Sequence, residues 1–414
     1  MPDFGDSYMG NTVCGVRNME ENKEVYKNEI WKNDKTFLVA LVAYLVVLLL
    51  FIIMRVVSGS GLLSDVSDQA VEAGFSIVSQ AVIMLLVPLL AIKLFARPPQ
   101  QPGFDPVIQR KTNNWSNTLG AFGFNKTSWK VIGFAFLLGV LLYFFNIFVA
   151  GFFNSILLLL GFRFPLSNDL TFPGIWGFFI SLALIAVLPG LCEETNHRGM
   201  LLNSFVNKLG VWRAVLLSSL LFGLMHMNIV QFFYAAILGY LIAQAVLATR
   251  SIWTGVIMHF MNNAISTYVQ YARAEGWFLG NALEYFLGLF DGAFGFLLLF
   301  AFVFGIYWLI NQIIHKFAKE NYTRNEKVFL ANILKNNPNY VSEKTAKGES
   351  VSLEDMSRQI NTYLASLGKH DAVRFYLDTH EKPASMTVLE RTFLFGVIFL
   401  GAITTIMTLV WGLL

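Results

Sequence analysis

The stretch IWGFFISLALIAVLPGLCEETNHRGMLL, residues 175–202, decides the fold class. It is apolar from Ile175 to Leu188, then carries Glu193, Glu194, His197 and Arg198 within six positions, and turns apolar again at Met200. Soluble cores avoid such charges and membranes penalise them, by about 2.5–3.5 kcal/mol for an Asp, Lys or Arg at the centre of an inserted helix. A greasy segment that keeps them needs partners for them, and a use.

The surrounding chain settles the environment. Of 414 residues, 55% are hydrophobic and 14% charged, with mean hydropathy +0.56, which excludes an ordinary soluble globular protein. Apolar runs of about 20 residues, the length that crosses a bilayer core, recur at 37–57, 74–96, 131–153, 175–205, 212–228, 231–249, 251–269, 290–314 and 391–413. The expected fold is therefore all-α: a polytopic bundle of about nine transmembrane helices with a small cytoplasmic helical segment.

Lys and Arg are kept on the cytoplasmic side of short connections. Arg17, Lys23, Lys27, Lys32 and Lys35 precede the first span, whereas 58–73 holds none. Arg97, Arg110, Lys111, Lys126 and Lys130 fill the next connection, and twelve of thirty basic residues lie between Lys316 and Arg391. The alternation places the N-terminus in the cytoplasm of a multi-pass membrane protein, in the cell membrane if the source is bacterial. The polar, acidic first 36 residues do not read as a signal peptide, so span one reads as an anchor. Cys14 and Cys192 are too few for a disulfide framework or a thiolate metal site. The net charge of +3 reflects inward-facing loops and implies no nucleic-acid partner.

These features divide the chain into a tail (1–36), two helices with their connection (37–130), a polar-bearing core (131–270), an external loop and helix (271–314), a polar cytoplasmic segment (315–390) and a last helix (391–414). The polar segment holds two amphipathic stretches, 326–335 and 352–367, and reads as a small helical appendage.

Three of six histidines, His197, His226 and His259, fall in apolar spans. Glu194 and Arg198 are four apart, on one helix face, and can pair. Glu193 is rotated about 100° from Glu194, and Pro189 just upstream removes a helical hydrogen bond and can open space beside it. In LLFGLMHMN (220–228), Phe222 and His226 share a face; in VIMHFMNNAIS (256–266), so do His259 and Asn263. At 1.5 Å per residue, Glu193, His226, His259 and Asn263 lie roughly 18, 21, 12 and 18 Å from the inner ends of their spans. All are in the middle of a core about 30 Å thick. A common depth on three helices favours one site over three unrelated structural residues.

Taken in order, Glu193-Glu194-x-x-x-Arg198, Phe222-x-x-x-His226 and His259-x-x-x-Asn263 resemble the signature of the CPBP (Abi) intramembrane protease family, which includes CAAX prenyl endopeptidases and lysostaphin-resistance-A-like proteins. The likeness covers about 120–270, with LGAFGFNKTSWK (119–130) similar to the family's lead-in. One departure is Thr195-Asn196-His197, where an apolar or aromatic residue is usual before the arginine. His197 shares the face of Glu193, and three readings stay open: it adjusts the protonation of Glu193, adds a metal ligand, or contacts a neighbouring helix.

Hydrolysis of a peptide needs a water, a base and donors for the oxyanion. Glu193 suits the base. His226 can hold the same water and protonate the leaving amine, while Asn263, with His259 or a cationic group, can serve the oxyanion; Arg198 would pair Glu194. The resemblance implies this glutamate/histidine scheme and also a zinc version using Glu193, His226 and His259. The expectation is no cofactor, with zinc as the alternative, since the H-E-x-x-H spacing is absent. The partners implied are the lipid bilayer and a peptide or membrane-protein substrate, lipidated or not. The rival readings are an ion-coupled transporter, which also places polar residues at broken helices near the midplane, and a catalytically inactive scaffold.

Overall fold

The computed structural model describes residues 30–31, 34–59, 68–96, 115–163, 172–278, 298–317 and 385–414, with isolated positions at 280, 282, 285 and 286. The appendage expected over 315–390 and its amphipathic stretches lie almost wholly outside the described residues, as do most of the tail and of the loops used to assign sidedness.

The described residues form helices and no strand. In chain order these are α1 (Asp34–Gly59), α2 (Gln69–Phe95), α3 (Trp115–Ala121), α4 (Trp129–Leu159), α5 (Gly174–Leu209), α6 (Val211–Met225), α7 (Ile229–Thr249), α8 (Ile252–Glu275), α9 (Leu298–Phe317) and α10 (Val388–Leu413). The nine expected spans correspond to α1, α2 and α4–α10, with α3 a short extra helix before α4. The chain is an all-α, multi-pass membrane helix bundle. Seven of its described helices are long and apolar enough to cross a membrane: α1, α2, α4, α5, α7, α9 and α10.

The two exceptions bear on the site. Helix α8 has 24 residues but spends its polarity budget on His259, Asn262 and Asn263. Helix α6 has only 15 residues, about 22 Å, short of the roughly 30 Å core. The apolar run 212–228 reads as one span, yet the helix stops at Met225. His226 closes it, Met227 turns with φ 47°, and Asn228 starts α7 by accepting a hydrogen bond from the Val230 N–H at 2.9 Å. His226 therefore sits at a helix end rather than inside a helix. Non-helical backbone near membrane depth persists only where protein covers it or water reaches it. Here α10 helps to cover the turn: the Ile229 N–H donates to Thr408 Oγ1 at 3.0 Å.

Other ends follow local chemistry. Ser128 accepts from the Val131 N–H to open α4. Thr387 and Glu390 form a reciprocal capping box at the start of α10. Glu390 also meets Lys208 of α5 at 3.2 Å with both side chains buried, which fixes α10 to the core. Between α5 and α6 the chain reverses at Gly210, whose φ of 80° suits glycine.

Helix α5 is not uniform. It is π-helical over Leu182–Val187 and again over Thr195–Leu202, and α2 is π-helical over Val78–Leu86. The widened turns frame Leu188–Glu194, the segment that carries both glutamates. There α5 crosses α8 closely: a Cβ on Gly190 would sit 3.2 Å from Val256 O and Phe260 N. Small residues let helix backbones approach in this way.

Candidate active site

The two neighbouring glutamates end in opposite circumstances. Glu194 is fully buried, and its Oε1 accepts from Arg198 Nη1 at 2.7 Å and from His259 Nδ1 at 3.0 Å. Arg198, 1% exposed, spends a second nitrogen on the Gly239 carbonyl of α7 at 3.0 Å. The first and third motifs are thus joined by one carboxylate. A carboxylate accepts and does not donate, so His259 carries its hydrogen on Nδ1 and directs Nε2 elsewhere.

Glu193, 9% exposed, has a neutral partner: Gln80 Nε2 of α2 donates to its Oε1 at 2.8 Å. One residue along a helix is a rotation of about 100°, which sends Glu193 towards α2 while Glu194 faces α7 and α8.

His226, half-buried at the end of α6, has Nδ1 2.9 Å from the Phe222 carbonyl. A carbonyl only accepts, so Nδ1 bears the hydrogen and Nε2 is left as an acceptor in the neutral ring. Phe222, 1% exposed, is the common neighbour of the motifs. The Arg198 guanidinium lies 4.4 Å from its ring centroid. The rings of His197, His226 and His259 stand edge-on to it at 4.9, 5.2 and 5.7 Å.

Asn263 is placed otherwise than the reading of an oxyanion donor assumes. Its Nδ2 donates to the Ile185 carbonyl at 2.9 Å, and its Oδ1 accepts from Asn262 at 2.9 Å. Pro189 has no N–H, so the carbonyl four residues earlier, Ile185, lacks its α-helical donor; Asn263 supplies one. Asn146 of α4 extends the chain of amides to Asn262 Oδ1 at 3.4 Å.

His197 faces a neighbouring helix. Its Nδ1 lies 2.9 Å from the carbonyl of Glu193, not its carboxylate, and its ring packs edge-on against Tyr44 of α1. The Tyr44 hydroxyl donates to the Leu221 carbonyl at 2.8 Å and lies 3.4 Å from His197 Nε2. Asn196 Nδ2 contacts Met84 Sδ of α2 at 3.3 Å. The unusual Asn196-His197 pair thus ties α5 to α1 and α2. Gln80, Tyr44, Asn146 and Asn262 are contributors that the motif reading missed. The one signal was their polarity within apolar spans.

Among the described residues no three His, Cys, Asp or Glu side chains are grouped so as to hold a metal ion. The zinc alternative would draw on Glu193, His226 and His259, whose Oε2, Nε2 and Nε2 atoms are not used by the hydrogen bonds described above.

Comparison with known proteins agrees with the resemblance carried by the motifs. Residues 175–265 match the family model described as type II CAAX prenyl endopeptidase Rce1-like. That segment contains all three motifs and runs from α5 into α8. No curated protein and no solved structure matched the chain.

Proposed function

We propose that the chain is an intramembrane endopeptidase in which Glu193 activates a water. The observation that supports this reading most directly is the unequal partnering of the glutamates. Glu194 is consumed by a cation and an imidazole, whereas among the described residues Glu193 meets only an uncharged amide and keeps Oε2 for a proton.

In the proposed reaction Glu193 takes a proton from water as the oxygen attacks the scissile carbonyl carbon. His226 Nε2 accepts the water's other hydrogen bond. The proton taken up by Glu193 then passes, directly or through His226 Nε2, to the leaving nitrogen as the oxyanion reforms the carbonyl and the C–N bond breaks. His259, oriented through Nδ1 by Glu194, can donate from Nε2 to the oxyanion when doubly protonated. Asn263 can add a donor only through its second amide hydrogen, since the first is held by Ile185. Arg198 cancels the charge of Glu194 and keeps its own guanidinium on Phe222. No step uses a metal. The N-terminus in this reading is cytoplasmic and the substrate a peptide or membrane protein, lipidated or not.

The matched family's description names a CAAX prenyl endopeptidase, so a quenched fluorescent farnesylated C-a-a-X peptide is the first probe, followed by an unprenylated transmembrane peptide. Purified protein in detergent or liposomes should cleave at least one of them, and Glu193→Gln should abolish cleavage while remaining folded. Cleavage that survives Glu193→Gln would refute the reading. Failure to cleave any peptide, together with substrate-dependent ion flux in liposomes, would favour a transporter.

A further inference from the structure

Helix α2 lies outside the segment matched by the family model, yet it delivers a side chain to the proposed base. Gln80 is 7% exposed, and its Nε2 donates to Glu193 Oε1 at 2.8 Å. The other end of the same amide, Oε1, is buried and meets no donor among the described residues. The amide cannot be turned round to relieve this, because Oε1 would then face a carboxylate oxygen. A buried acceptor without a donor is expensive, and such atoms in native structures call for a specific explanation.

We infer that Gln80 belongs to the active site: its Nε2 positions the Glu193 carboxylate, and its Oε1 accepts a backbone N–H from the bound peptide. This rests on the peptidase reading of Glu193.

The chemistry of an amide fits both tasks. A base needs one carboxylate oxygen fixed and the other left for the water. Arg or Lys at this place would fix the carboxylate too, but would neutralise it; a glutamine fixes it without a charge. A peptide entering a water-poor site also brings backbone N–H groups that must find acceptors, since each one left unpaired is costly. Within Gln80 the nitrogen and oxygen are joined through one carbon, so the atom that receives the peptide is rigidly linked to the atom that holds the base. Substrate binding and base orientation are then coupled by one planar group.

Its placement is built by the fold. Gln80 lies in the π-helical stretch Val78–Leu86 of α2, which packs against Leu188–Glu194 of α5. Nearby Ser76 Oγ donates to Leu184 O at 3.2 Å, and Met84 receives Asn196, so the stretch is fastened to α5 on both sides of Gln80. Glutamine on such a fastened stretch has little freedom to act as a loose spacer.

The test uses the full-length protein and a peptide that the wild type cleaves. Gln80→Met keeps the length of the side chain and removes both polar ends, and kcat should fall about 10- to 100-fold. The same substitution in a Glu193→Asp background, where the shorter carboxylate has already left Nε2, removes only the Oε1 contact and should cost several-fold less than in the wild-type background. Esters replacing single amides next to the scissile bond probe Oε1. One ester position should slow the wild type about tenfold and leave Gln80→Met unaffected. Wild-type kcat in folded Gln80→Met would overturn the inference, as would equal losses in the two Glu193 backgrounds or ester effects indifferent to Gln80. Should Gln80→Met not fold, Gln80→Asn takes its place, with Nε2 and Oε1 both withdrawn by one carbon and the same outcomes required. If the wild type cleaves through Glu193 and the Gln80 results go the other way, the inference fails and the peptidase reading stands.

Discussion

Exchanging each of the adjacent glutamates for glutamine should produce opposite phenotypes. In Glu194→Gln the side chain keeps an oxygen at the position of Oε1, so Arg198 and His259 can still donate to it. The negative charge that balanced a guanidinium only 1% exposed is gone. The new amide nitrogen takes the place of Oε2, an atom that meets no hydrogen-bond partner among the described residues. Breaking a buried ion pair by removing one partner typically costs 3–5 kcal/mol, and the retained acceptor points to the lower end, about 3 kcal/mol. At the roughly 2 °C per kcal/mol of a large domain, the melting temperature should fall by about 6 °C. In Glu193→Gln the oxygen that accepts from Gln80 persists and no cation is orphaned, so stability should stay within about 0.5 kcal/mol of wild type. The chain has nine tryptophans, so intrinsic fluorescence during heating in detergent follows unfolding, and peptide cleavage is read on the same samples. The reasoning is refuted if Glu194→Gln melts with the wild type, or if Glu193→Gln is the less stable of the two.

Asn263→Ala should cost about 1–3 kcal/mol by stranding the Ile185 carbonyl, and Pro189→Ala, which restores the missing N–H, should make the second substitution cheaper in a thermal double-mutant cycle. Gly255→Ala would put a methyl 2.7 Å from Glu194 Oε2 and 2.8 Å from Val246 Cγ2; overpacking of about 1–3 kcal/mol should lower the melting temperature, and pressure on Glu194 should reduce cleavage as well. Active protein should keep its activity through prolonged treatment with strong chelators; stoichiometric zinc by elemental analysis, with activity lost on chelation and regained on adding zinc, would overturn the metal-free mechanism. Cysteine labelling should reach 58–73 from outside and 315–390 only from the cytoplasm, and external labelling of 315–390 would overturn the assigned sidedness.

The membrane character and the three motifs are legible in the sequence because intramembrane charge is costly and therefore rare. Glu194 with Arg198, and His259 with Asn263, also sit at helical spacing, so their faces are readable. What the spacing could not show is which atom each polar group meets. Asn263 looks like a free donor until Pro189, on another helix, leaves the Ile185 carbonyl in need of it. Gln80 has no partner at i+4; its partner is 113 positions away, and a lone amide in an apolar span looks inert. The end of α6 was hidden for a related reason. No glycine or proline marks it, and the stop comes from His226 bonding to the Phe222 carbonyl and from the side-chain cap at Asn228. The π-helical stretches likewise leave no period in an apolar run that would announce them.

Phe222 explains why the three motifs need one another. Its ring presents a negative face and a positive edge, and Arg198 lies over the ring as a cation does best. The three imidazoles pack edge-on around the same ring, so each has one side against an aromatic wall and its Nδ1 turned to a fixed acceptor: the Glu193 carbonyl, the Phe222 carbonyl and the Glu194 carboxylate. Every Nδ1 hydrogen is thereby spent on the scaffold, and in each neutral ring only Nε2 remains for other chemistry. For His197 that atom faces Tyr44; for His226 and His259 it meets no hydrogen-bond partner among the described residues. An aliphatic residue at 222 would fill the volume but give no face for the guanidinium. Arg198 would then lean on Glu194 and Gly239 alone, and the carboxylate that orients His259 would lose the constraint on its own position. The phenylalanine of the second motif is therefore part of the electrostatic frame, holding the paired charge to one side while Glu193, on the other, has no cationic partner among the described residues and meets the neutral Gln80.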